Sequence, residues 1–182
     1  MDPSAPAAGR ENIVLIGMPG VGKSTIGVLL AKALSRDFLD TDVYIQAREN
    51  RMLQQIIDQD GLAAFCRLEE EAILSLDCRR CVIATGGSVV YSAPAMEHLR
   101  RSAVVVNLEL DLAALEERLT NLKSRGVVMA PGQTLKGLFQ ERQPLYRRYG
   151  DVHIRCADLS HEGVVGEIIS RLQRLPEFVG RE

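Results

Sequence analysis

The stretch that most limits what this chain can become is Gly17-Met18-Pro19-Gly20-Val21-Gly22-Lys23-Ser24-Thr25. It matches G-x-x-x-x-G-K-S, a glycine-rich loop whose backbone N–H groups cradle phosphates. Such a loop works only between a strand and a helix, and both flanks comply. Ile13-Val14-Leu15-Ile16 is an apolar run that reads as a short buried strand. Residues 24–34 then place Ile26, Leu29, Leu30, Ala33 and Leu34 on one helical face. The N-terminus of that helix and the loop amides present positive partial charge to an anion. Lys23 reaches the outer phosphates and the Ser24 hydroxyl ligates Mg²⁺. Gly20, Val21, Gly22 and Thr25 complete the cradle.

The rest of the chain alternates strands with helices. Strands are predicted at 13–16, 37–40, 81–84, 103–108 and 152–155. Helices are predicted at 24–34, 42–48, 52–58, 61–76, 93–100, 111–119, 134–149 and 160–174. This alternation argues for an α/β fold with a five-stranded parallel sheet covered on both faces. Ligands of such sheets bind beyond the carboxyl ends of the strands. With 182 residues, 46% apolar and 25% charged, the chain suits one domain with a full core. That domain is placed at 12–175, between an Ala/Pro-bearing disordered tail at 1–11 and a tail at 176–182.

Composition excludes several function classes. No apolar run approaches the ~20 residues that cross a bilayer. The first residues lack a signal-type apolar stretch, which leads to the expectation of a cytoplasmic protein. A net charge of −2, 4% aromatics and no Trp argue against a nucleic-acid partner. Cys66, Cys78, Cys81 and Cys156 offer a single C-x-x-C, without the second pair that zinc wants. They are read as reduced thiols without a joint role.

Three strand ends and one long loop hold the candidate chemistry. Phe38-Leu39-Asp40-Thr41-Asp42 runs an apolar strand into two carboxylates. Residues i and i+2 of an extended chain point the same way. One carboxylate would hold Mg²⁺ through water and the other would accept a hydroxyl proton; alternatively, Asp42 caps the next helix. Val82-Ile83-Ala84-Thr85-Gly86-Gly87-Ser88 ends a strand in paired glycines, either a close approach to a ligand or a plain tight turn. In 61–76, Arg67, Glu69, Glu70 and Glu71 form a charged side whose plain reading is a solvated face. The stretch 121–134 is long and irregular, carries Lys123 and Arg125, and reads as a lid over transferring phosphate. Beyond it Arg142 precedes a helix-interrupting Pro144 and points into a cleft, whereas Arg147 and Arg148 are solvated.

Taken together, these motifs resemble the shikimate kinase family of small phosphate-loop kinases. The resemblance covers most of 12–175 and includes the phosphate loop, Asp40-Thr41-Asp42, Phe65 with Glu69, Gly86-Gly87, the lid and Arg142-x-Pro144-Leu145-Tyr146. It implies a three-layer P-loop kinase fold with a lid loop at about 120–134. It also implies transfer of the γ-phosphoryl group of MgATP to a ring hydroxyl of shikimate. Carried over by position, Lys23 binds phosphates, Ser24 and Asp40 hold the metal, and Asp42 binds substrate hydroxyls and is the candidate base. Gly86 and Gly87 line the substrate, Arg118 packs on adenine, Arg125 is the lid arginine, and Arg142 binds the substrate carboxylate. A monomer is expected.

The chain departs from the family pattern at three places. Cys66 stands where the family has an arginine that helps clamp the carboxylate, and Arg67 is rotated by about 100° around the helix. Ser88 replaces a third glycine. The lid reads Arg125-Gly126-Val127 instead of Arg-Pro-Leu. Glu69, three residues after Cys66 and on the same helix face, is thereby free to pair with Arg142 or with a cationic substrate group. Shikimate is the first expected acceptor and a hydroxylated amino acid such as homoserine is the second. A non-catalytic nucleotide-binding module and a nucleoside monophosphate kinase are the remaining readings.

Overall fold

The computed structural model describes residues 10–120 and 132–176. Two largely apolar stretches make the middle of its sheet. They are strand β1 (Asn12–Gly17) and strand β4 (Ala103–Glu109), and both are buried along almost their whole length. Strands covered on both faces have no reason to alternate apolar with polar residues. β3 (Cys81–Ala84) is equally buried, whereas the edge strand β5 (Val152–Arg155) alternates, with Val152 and Ile154 inward. β2 (Asp37–Asp40) closes the other edge. All pairings are parallel, in the order β2-β3-β1-β4-β5.

The helices are α1 (Lys23–Leu34), α2 (Thr41–Glu49), α3 (Leu53–Asp60), α4 (Leu62–Leu74), α5 (Ala93–Ser102), α6 (Leu112–Thr120), α7 (Leu135–Tyr149) and α8 (His161–Leu172). A short 3₁₀ turn, Val89–Tyr91, follows β3 and has no strong pattern in the sequence. Right-handed crossovers put α1 on one face of the sheet and α4, α5 and α7 on the other. Packing agrees: α1 lies against α8, and α4 lies against α5. The layers enclose one large core, and a smaller cluster of Ile45, Ile56, Phe65 and Ala72 joins α2, α3 and α4. Each buried Val, Leu, Ile or Phe side chain contributes about 1.5–3 kcal/mol.

Two expectations change. α1 buries Lys23, Ile26, Gly27, Leu30 and Ala31, so Ala33 faces solvent. α7 runs unbroken through Pro144. The ring stands on the exposed side, while Leu138, Arg142, Tyr146 and Tyr149 anchor the helix before and after it. Tertiary packing thus offsets the lost backbone hydrogen bond. All four cysteines are free, and a thiol hydrogen bond with Cys81 draws Cys78 down to about 7 against the effect of burial. Among the described residues no helix is long and apolar enough to cross a membrane. Residues 1–9 and 177–182 of the predicted tails and most of the predicted lid, including Lys123 and Arg125, lie outside the described residues, whereas Arg10, placed in the disordered tail, is held by Asp151 at 2.7 Å.

The strand order fixes where a ligand goes. The chain leaves β1 for β2 in one direction and leaves β3 for β4 in the other. The crevice between β1 and β3 is the topological switch point. Register brings Leu15, Asp40 and Ala84 level across β1, β2 and β3. The segments that follow these three residues therefore converge at one end of the sheet.

Candidate active site

The phosphate loop closes on a helix start with no side chain over it. Gly22 is the N-cap of α1, with φ 106°, a left-handed conformation that side chains resist. No side chain caps the helix and no acidic residue stands in its first turn. The end of the helix therefore remains open to an anion. Ser24 and Thr25 are exposed at this end. Lys23 folds back, and its Nζ donates to the carbonyl oxygens of Gly17 at 2.8 Å and Met18 at 3.0 Å. Burial pushes its ammonium down to about 8, while attraction from Asp42 opposes this. Lys23 is therefore still mostly a cation at neutral pH. Arg118 of α6 donates from Nη1 to the Val21 carbonyl at 3.2 Å, which ties it to the loop.

The two aspartates divide their work. Asp40 Oδ1 accepts from Asp42 N at 3.0 Å and Val43 N at 3.2 Å, so Asp40 is the cap of α2. The capping reading belongs to Asp40, and Asp42 is left to face the phosphate loop. Burial pushes the Asp42 carboxyl up to about 6, helped by repulsion from Asp40 and opposed by Lys23. Among the described residues no group of three or more His, Cys, Asp or Glu is gathered as a metal cage. A hydroxyl and a carboxylate at the edge of a phosphate site, Ser24 and Asp40, fit a hard ion that keeps most of its waters.

Beyond Asp42 the paired glycines form a turn that several side chains close over. Gly86 N donates to Thr41 Oγ1 at 3.1 Å, and Tyr146 Oη donates to the Gly87 carbonyl at 2.7 Å. The turn is thus pinned from α2 on one side and α7 on the other. A Cβ on Gly86 would collide with Glu69 Oε1 and come within 2.9 Å of Asp42 Oδ1. A Cβ on Gly87 would lie 3.0 Å from Arg142 Nη1. Hence the glycines are needed for close approach and do not mark a plain turn. Arg142 is 1% exposed; its Nε donates to Tyr91 Oη at 3.0 Å and its guanidinium lies 5.0 Å from the Tyr91 ring centre.

Glu69 overturns the reading of a solvated acidic face. It is 3% exposed, although Arg67 and Glu71 on the same helix are in solvent and Glu70 bonds Ser92 at 2.5 Å. Burial pushes its carboxyl up to about 7; Ser88, Arg142 and Lys23 pull it back, while Asp42 pushes it further. Among the described residues, Glu69 Oε1 and Ser88 Oγ are buried without a well-formed hydrogen bond. Cys66 is half-buried beside them, and its thiol is pushed up by burial and by Glu69.

A second hollow, of about 350 Å³, adjoins the phosphate loop and is lined by Leu110, Asp111, Ala114, Arg118, Cys156 and Leu159, among others. Its position fits the base of a nucleotide whose phosphates lie on Gly20–Thr25. The walls from the β4 and β5 ends, such as Cys156 and Leu159, were missed in the sequence, as were Thr41 and Tyr91 around the glycine turn. The strand-end rule was the available signal for the former.

The family model for shikimate kinase matches residues 19–173 of this chain. The shikimate kinase of Thiobacillus denitrificans is 36% identical over 169 residues, covering 91% of this chain and 92% of that protein. That of Chromohalobacter salexigens is 38% identical over 175 residues, covering 93% and 96%. A solved structure of shikimate kinase from Acinetobacter baumannii in complex with shikimate has a TM-score of 0.80 and 30% identity, covering 88% of this chain and 92% of that one.

Proposed function

The chain belongs to the shikimate kinase family, and on that premise we propose that it transfers the γ-phosphoryl group of ATP to a hydroxyl of shikimate. One observation carries the reading: Asp42, whose Oδ1 lies against Gly86, is also near enough to Lys23 on the phosphate loop for their charges to act on each other, which supports donor and acceptor sites with a shared boundary. Lys23 leaves its two carbonyl partners for the phosphate oxygens and neutralises charge there. Asp42 orients the acceptor hydroxyl and takes its proton as the new P–O bond forms. Arg142 holds the carboxylate, with Gly86, Gly87 and Ser88 as the floor and Cys66 and Glu69 on the wall. Arg118 flanks the base. Ser24 and Asp40 would hold Mg²⁺, which when bound shields the phosphate charge.

The reading extends to one catalytic domain over residues 12–175 with a lid at about 120–134, where Arg125 meets developing charge. It places the enzyme in the cytoplasm, where ATP is available, as a monomer. The test is ADP release on adding shikimate to protein and MgATP. Shikimate-dependent release is expected, with a phosphomonoester seen by ³¹P NMR. ATP binding without such release would leave a non-catalytic nucleotide-binding module.

A further inference from the structure

We propose that the acceptor pocket also takes a short hydroxylated α-amino acid, with Glu69 receiving the ammonium and Arg142 the carboxylate. The inference rests on the kinase reading and concerns what else the same site phosphorylates. It starts from a buried acid whose Oε1 has no well-formed hydrogen bond among the described residues. A buried polar oxygen left unpaired is costly, so a ligand donor that reaches it is favoured.

Among the described residues, no protein group that faces Glu69 completes that oxygen. Lys23, from α1, is bonded to the Gly17 and Met18 carbonyls. Asp42, from α2, repels it, and the half-buried Cys66 thiol on its own helix is neutral. Ser88, after β3, is near enough to steady the Glu69 carboxylate, yet neither Ser88 Oγ nor Glu69 Oε1 has a well-formed hydrogen bond among the described residues. Arg142, from α7, acts on Glu69 through charge and directs Nε to Tyr91.

The spacing suits a zwitterion. The Glu69 carboxyl overhangs Gly86 and the Arg142 guanidinium overhangs Gly87, so once Glu69 gives up its proton opposite charges stand one residue apart along the same backbone. The ammonium and carboxylate of an α-amino acid are likewise joined through one carbon. Asp42 borders the Gly86 side and is placed for a side-chain hydroxyl. A hydroxyl could also donate to Glu69, but only an ammonium adds a full opposite charge. In the reaction the alcohol oxygen attacks the γ-phosphorus and the bond to the β,γ-bridging oxygen breaks. ADP leaves with that electron pair, the alcohol proton passes to Asp42 and then to solvent, and the products are a phosphomonoester, ADP and a proton.

The experiment measures ADP release and ³¹P product with shikimate, L-homoserine, N-acetyl-L-homoserine and 4-hydroxybutyrate on the wild-type protein. L-Homoserine should be phosphorylated, with kcat/KM about tenfold or more above either analogue lacking the ammonium. Glu69→Gln, nearly isosteric, should lower kcat/KM for L-homoserine about tenfold more than for shikimate. Cys66→Arg, which sets a guanidinium beside Glu69, should shift preference towards shikimate. Turnover of shikimate with none of L-homoserine, or equal turnover of L-homoserine and 4-hydroxybutyrate, would overturn the inference and leave the kinase standing. ATP binding with no turnover of any acceptor would overturn both.

Discussion

Asp42 and Glu69 are two buried carboxyls with different tasks. Asp42 lies within the field of Lys23 and beside the pocket, whereas Asp40 carries the helix cap. Asp42→Asn should therefore retain ATP affinity and lower kcat by about 10²–10⁴, the usual worth of a positioned base. Nucleotide titration and steady-state rates on the same preparation check this; a parallel loss of both would make Asp42 structural. Glu69 bears on stability. Its folded-state pKa is raised to about 7 by burial, so the folded protein holds a proton that the unfolded chain gives up. Stability from this group is present below about pH 4.5 and declines as pH rises through 7. Glu69→Gln should flatten that decline, leaving the variant on the order of 2 kcal/mol less penalised at pH 8 than at pH 5, relative to wild type. Urea unfolding at both pH values reads this directly, and identical pH slopes would refute it.

At the scale of elements, the critical unit is the turn after β3. Thr41 and Tyr146 hold it, and Glu69, Asp42 and Arg142 close over it. Gly86→Ala should fill the space in front of Glu69 and Asp42. The expected result is at least about a tenfold rise in the acceptor KM, with little change in ATP affinity, since the phosphate loop is not touched. Unchanged acceptor kinetics would mean that α4 yields easily or that the acceptor sits elsewhere. The same view explains α7. Its buried side supplies both Arg142 and Tyr146, one turn apart, and the exposed Pro144 between them is tolerated because both neighbours are anchored.

For the molecule as a whole, α1 begins at the open end of the sheet with no cap of its own. A nucleotide that occupies this end binds the folded chain alone. At 100 times its Kd it should add about 2.7 kcal/mol of stability. Thermal melts with a non-hydrolysable ATP analogue should show a clear rise in Tm. Lys23→Ala should lose most of that rise while melting normally without nucleotide. An undiminished rise would remove Lys23 from phosphate binding.

The sequence by itself determined the architecture and where the glycine-rich loop stands in it. All five strands were placed within about a residue, the three inner ones because buried parallel strands are largely apolar runs punctuated by polar turns. The phosphate loop was legible for a similar reason: its chemistry lies in backbone amides and one lysine, all local in the chain. The acceptor half was legible through the family resemblance, which named Asp42, Glu69, Gly86, Gly87 and Arg142 without saying how they meet. Only the tertiary structure decided that Asp40 takes the helix cap, that Thr41 and Tyr146 pin the glycine turn, and that Glu69 is buried where its charged neighbours suggest solvent. Burial of Glu69 is set by what α2, α7 and the β3 turn place against α4. Those partners are distant in the chain, so helical periodicity on α4 alone carries no record of them.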